Sequence, residues 1–88
     1  MSAQNNKINS KVKTALYRSV VNNIKAELSE LEAKEILLVN KSVYITSKDD
    51  DHAQFPNELK DIIIKQVDLK EALTFAKEKL KVVEEEKN

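Results

Sequence analysis

Tyr17-Arg18-Ser19-Val20-Val21-Asn22-Asn23-Ile24-Lys25-Ala26-Glu27-Leu28-Ser29-Glu30-Leu31 is the stretch that decides the fold of this chain. Its residues Tyr17, Val21, Ile24, Leu28 and Leu31 recur at alternating steps of four and three, and Leu38 continues the series past one polar break, Glu35. Steps of three and four return to one side of an α-helix because the helix turns once every 3.6 residues. A second run, Leu59, Ile62, Leu69, Leu73, Ala76, Leu80 and Val83, repeats the pattern with Gln66 as its polar break. The chain has no glycine, and its one proline, Pro56, falls between the two runs, so neither is interrupted.

The pattern predicts an all-α or mainly α fold: two long antiparallel helices joined by a connector, packing as a dimeric bundle. The 88 residues make one domain, a helical hairpin, with no room for a second core. Residues 7–37 read as the first helix, rich in helix formers around Lys25–Lys34, with Asn6, Asn9 and Ser10 all suited to cap its start. Its apolar face is broad between Val12 and Ile24, where Leu16 and Val20 widen it. After Leu28 it narrows, because Glu27 and Glu30 occupy the widening positions.

The connector, about 38–56, changes character. Ile36-Leu37-Leu38-Val39 and Val43-Tyr44-Ile45-Thr46 favour strands, with Asn40-Lys41-Ser42 between them. A short hairpin over 36–39 and 43–46 and a continued first helix are both compatible with this composition. The hairpin lacks a glycine for its turn and would be marginal alone in water. Pro56-Asn57-Glu58 opens the second helix, which is expected to run over 57–83, with Glu58 and Asp61 near its positive dipole end. Glu84-Glu85-Glu86 stands at the negative end of that dipole, so residues 84–88 are expected to fray.

The second helix carries a further apolar face with Ile64, Val67, Phe75 and Val82, roughly opposite the main stripe. Two apolar faces on one helix need more than one neighbour, so self-association is expected. The residues assigned to that interface are Tyr17, Val21, Ile24, Leu28, Leu31, Ile64, Val67, Leu73, Phe75 and Leu80.

Charge is balanced in total and uneven in place. Residues 1–26 carry five basic side chains and no acidic one, whereas residues 27–88 carry ten basic and fifteen acidic ones. Such a dipolar chain can guide antiparallel association or present a basic contact surface. On an ideal helix Lys7, Lys11, Arg18 and Lys25 fall in a strip about 27 Å long, at 1.5 Å per residue, opposite Leu16, Val20 and Ile24. Cations near a helix N-terminus oppose the macrodipole, so helix stability alone does not select them. The strip suits an acidic protein surface or nucleic-acid phosphates, with Thr14 and Asn22 flanking it; a solvated charged face is the plainer reading.

No catalytic constellation is visible. With no cysteine, one histidine and no glycine, the chain has no thiol nucleophile, disulfide, multi-histidine metal site or glycine-rich phosphate loop. Asp49-Asp50-Asp51-His52 offers hard ligands side by side but lacks the spacing of a calcium loop, and reads as a solvated acidic loop. No apolar run approaches the roughly 20 residues that span a bilayer, and the start of the chain lacks a signal-peptide core. The expectation is a cytoplasmic or nuclear, non-secreted protein that is not an enzyme and needs no cofactor. It would act as an adaptor, scaffold subunit or regulator that binds itself and another protein through helix faces. The alternative is a nucleic-acid-binding regulator using Lys7, Lys11, Arg18 and Lys25.

Overall fold

A computed structural model of the chain describes residues 3–46 and 54–86, with side chains described over 9–43 and 54–86. Two helices account for all of it: α1 spans Ala3–Thr46 (44 residues) and α2 spans Gln54–Glu86 (33 residues). They pack side by side in opposite directions, since Arg18 reaches Glu84 while Glu35 meets Gln66. The hairpin is a rod of 70 × 16 × 15 Å. Its radius of gyration is 20.1 Å, where a compact globule of this length has about 12 Å.

The short strands considered at 36–39 and 43–46 do not form; α1 stays helical through both. Isoleucine and valine lower helix propensity by only about 0.5 kcal/mol each. Continuing the helix keeps Leu38 and Ser42 in the four-three register, half-buried against α2, whereas a lone two-stranded hairpin would give that contact up. The acidic segment 49–52 lies outside the described residues.

The second helix begins earlier than its proline suggests. It starts at Gln54, so Pro56 stands in the first turn, where a missing N–H leaves no hydrogen bond unmade. Glu58 and Asp61 therefore fall beyond the first turn, which holds no acidic residue. At the other end α2 persists to Glu86 instead of stopping near Val83. Val83 is buried, and the Arg18 guanidinium donates to the Glu84 carboxylate at 3.1 Å, which ties that last turn to α1.

The two helices meet along a single seam with a seven-residue repeat, whose positions are lettered a to g. The less exposed residues of α1 are Ser10, Thr14, Tyr17, Val21, Ile24, Leu28, Leu31, Glu35, Leu38 and Ser42, alternately d and a. In α2 they run from Phe55 through Leu59, Ile62, Gln66, Leu69, Leu73, Ala76 and Leu80 to Val83. Thr14 is the most deeply buried polar residue described, 2% exposed, and its hydroxyl donates to the Ser10 carbonyl at 2.8 Å. It lies in the seam beside Lys11 and Arg18, with its hydroxyl used within α1 and not offered to a ligand of the basic strip. At mid-rod Gln66 donates from Nε2 to Glu35 Oε1 at 2.8 Å, so the polar breaks in the two stripes are partners across one layer.

One seam cannot bury the apolar content of this chain. The molecule exposes 6944 Å², whereas a compact monomer of 10.0 kDa exposes about 5,200 Å². Among the described residues only Val21, Leu28, Leu31, Phe55, Ala76 and Val83 form a buried apolar core.

The seam should dominate stability. Leu28, 7% exposed, lies inside it, and Leu37, 68% exposed, lies outside it. Leu28→Ala is expected to lower unfolding free energy in urea by about 2–5 kcal/mol, as for other buried leucines. Leu37→Ala should stay within about 0.5 kcal/mol of the parent. Equal losses at the two positions would contradict the seam assignment.

Candidate interaction surfaces

What lies beside the seam follows from the register. In an antiparallel two-helix coil, e positions face e positions on one flank and g positions face g positions on the other. The Arg18–Glu84 contact joins two e positions. Counting on by seven in opposite directions sets Lys25 across from Lys77, Glu32 across from Lys70 and Val39 across from Ile63. On the opposite flank, Lys34 and Lys65 line one shallow depression together, and Lys41 and Glu58 line another, as two facing g pairs should.

On the g flank, near the chain termini, lies an open apolar groove of about 600 Å³. Leu16 and Val20 come from α1, Phe75 and Val82 from α2, and Lys13, Glu78, Lys79 and Glu86 stand among its lining residues. Phe75 is 59% exposed, and the Lys79 ammonium lies 4.6 Å from its ring centroid, a cation–π contact one turn along the helix. The widening of the first stripe at Leu16 and Val20 thus has a counterpart on α2. Further along the same flank Glu27, Glu30, Lys34, Lys65 and Asp68 replace apolar residues, and the groove ends in charge.

The e flank reverses that order. Near the termini it is basic, with Lys11, Arg18 and Lys25 from α1 and Lys77 from α2, and Lys70 carries the row on towards mid-rod. Towards the connector it turns apolar: Ile36, Val39, Val43, Ile63 and Val67 are all exposed there. Two apolar patches therefore lie on opposite flanks and in opposite halves of the rod.

Of the residues assigned to an interface from the sequence, Tyr17, Val21, Ile24, Leu28, Leu31, Leu73 and Leu80 lie in the seam between the chain's own helices. Ile64, Val67 and Phe75 lie outside it and are exposed. Of the basic strip, Lys11 and Lys25 are exposed, Arg18 is paired with Glu84, and Lys7 falls within α1 with its side chain outside the described set. The strip also gains residues the sequence did not offer it, Lys70 and Lys77, because only the antiparallel register brings them to the same flank. Ile36, Val39 and Val43 were hidden by their strand-like composition. Lettering the seven-residue repeat through residue 43 would have placed them on one flank.

Antiparallel packing sets the acidic Glu84-Glu85-Glu86 beside the basic N-terminal half, yet the rod stays polar. Helix residues 3–26 and 76–86 carry eight basic and four acidic side chains, a net of +4. Helix residues 27–46 and 54–75 carry five basic and eight acidic ones, a net of −3. Among the described residues Arg18–Glu84 is the one ion pair, exposed on both sides, and such pairs contribute at most about 1 kcal/mol.

Among the described residues no group of three or more acidic, histidine or cysteine side chains is placed to hold a metal ion. No described helix is long and apolar enough to cross a membrane. No family model, no curated protein and no solved structure matches this chain.

The register makes a direct prediction on the e flank, where Lys25 and Lys77 face each other with like charge. Lys77→Glu should raise stability by about 0.2–1 kcal/mol in low salt, and the gain should fade as salt screens it. Thermal unfolding at two ionic strengths reads both effects. A salt-independent loss would mean that residue 77 does not face residue 25.

Proposed function

We propose that this chain is a small, non-catalytic protein–protein interaction module, an adaptor, scaffold subunit or regulator, that works through apolar helix faces and binds its own copies among its partners. The observation that carries the reading is the set of large apolar side chains outside the seam, Phe75 and Val67 foremost. Monomeric proteins rarely leave contiguous apolar patches in water unless something covers them. Packing two such hairpins side by side gives a four-helix assembly with an ordinary bundle core.

A second reading draws on the basic e flank. Lys11, Arg18, Lys25, Lys70 and Lys77 share it, more cations than α1 alone supplies, and phosphate backbones are bound by such rows. Against it stand the zero net charge and the lack of an aromatic residue on that flank to stack bases. Salt separates the two readings, since phosphate contacts lose about one logarithmic unit of affinity per contact per decade of salt and apolar packing does not.

The test is solution mass by light scattering on the full chain between about 1 and 100 µM, a range in which contacts of moderate affinity form. The parent is expected to exceed its 10.0 kDa monomer mass. The double variant Val67→Glu/Phe75→Glu should fall to monomer mass with unchanged helicity, because both side chains lie outside the seam. A parent that stays monomeric throughout, while fully helical, would overturn the reading.

A further inference from the structure

The e flank near the chain termini carries a row of cations that neither helix holds alone. Lys11, Arg18 and Lys25 come from α1, Lys77 and Lys70 from α2, and Lys81 stands beside them at a b position. All are exposed, and among the described residues only Arg18 has an ion-pair partner, Glu84. From Lys11 to the level of Lys70, which faces Glu32, the row is about 31 Å long, some 21 residues at 1.5 Å each. Lys25 and Lys77 face each other in the middle of it, and no acidic residue lies one helical turn from either along its own helix. The facing lysines of the other flank, Lys34 and Lys65, differ in this: they share their depression with Glu27, Glu30 and Asp68. Along the e flank the remaining acids of α2, Glu71, Glu78 and Glu85, stand at f positions, on the back of the helix.

We infer that this row is a docking surface for double-stranded nucleic acid, held through its phosphates without regard to sequence. The inference rests on the second reading above and adds the form of the ligand and the part played by α2. An anion between Lys25 and Lys77 replaces their mutual repulsion by attraction, and a polyanion does so along the whole row. The residues between the α1 cations, Ala15, Asn22 and Ser29, are small and exposed. Protein interfaces avoid that composition, being poor in Lys, Ser and Ala and rich in aromatic residues and Met. Lys, Arg, Ser and Asn are instead the side chains that hold phosphate oxygens. A membrane surface would call for large apolar anchors among the cations, and the e and b positions of this stretch hold none. No aromatic residue stands there either, which leaves single-stranded bases nothing to stack on. A duplex is unaffected, because its bases already stack on one another. The straight row of about 31 Å also approaches the length of one duplex turn, about 34 Å.

Titration of the full chain into labelled duplex DNA and duplex RNA, read by fluorescence anisotropy at several salt concentrations, is the test. The parent should bind at least one of the two duplexes, with affinity falling by about 3–5 logarithmic units per decade of salt, close to one per cation of the row. Lys25→Gln/Lys77→Gln should lower affinity by about tenfold or more at low salt, reduce that slope by about two units, and act alike on duplexes of unrelated sequence. Lys34→Gln/Lys65→Gln removes the same charge from the opposite flank and should leave affinity close to that of the parent. All four lysines are exposed, and circular dichroism should report parental helicity for both variants. Equal losses in the two variants would overturn the row, since net charge would then be the cause. Tighter binding to the same strands unpaired would overturn the duplex assignment and leave the second reading standing. Polyglutamate that displaces the duplex at equal charge concentration would overturn the inference in favour of an acidic protein. A chain that binds no nucleic acid at low salt would overturn both this inference and the reading on which it rests.

Discussion

In the middle of a mostly apolar seam, Gln66 donates a hydrogen bond to Glu35 at 2.8 Å. The pair fixes which residue of one helix faces which residue of the other over the whole 70 Å rod. An apolar seam alone tolerates a slip of one repeat, because leucine against leucine is much the same two turns away. A slip of the polar layer would set a glutamate and a glutamine separately against apolar side chains, each losing its partner in a partly dry setting. One polar layer of this kind can specify register at some cost in stability. Everything said of the flanks follows from that register: Arg18 opposite Glu84, Lys25 opposite Lys77 and Val39 opposite Ile63.

A second constraint is geometric. Two helices share one seam, so each can present only one stripe to the other. The chain carries more apolar residues than that stripe holds, and apart from Val12, Leu37 and Ile64 the exposed large ones gather on two flanks. Leu16, Val20, Phe75 and Val82 gather on one flank, while Ile36, Val39, Val43, Ile63 and Val67 gather on the other. That arrangement depends on antiparallel pairing, which brings segments distant in the chain to one flank.

The helical hairpin and the seam positions were legible in the sequence. Spacing of three and four residues is a local property, and a glycine-free chain with Pro56 between the runs leaves no other regular structure for them. The partnership of Glu35 and Gln66 was half legible: each appeared as a break in its own stripe, without sign that the breaks coincide. Residues 36–46 misled in one direction, because strand-favouring composition is a weak local preference, and continued packing of Leu38 and Ser42 against α2 outweighs it. Thr14 misled in another, reading as a hydrogen-bonding group beside the basic strip when its hydroxyl is used within α1 and its side chain is buried.

By itself, then, the sequence determined the helices and their amphipathic stripes, since each is a property of residues close together in the chain. Only the tertiary structure decided the contents of each flank. Lys70 and Lys77 join the basic face of α1, and Phe75 and Val82 join Leu16 and Val20, through contacts that span dozens of residues of chain. The physical reason is that spacing fixes where a side chain points about its own helix axis. Which residues stand beside it on the neighbouring helix is set by the direction and register of packing, and no single helix carries that information.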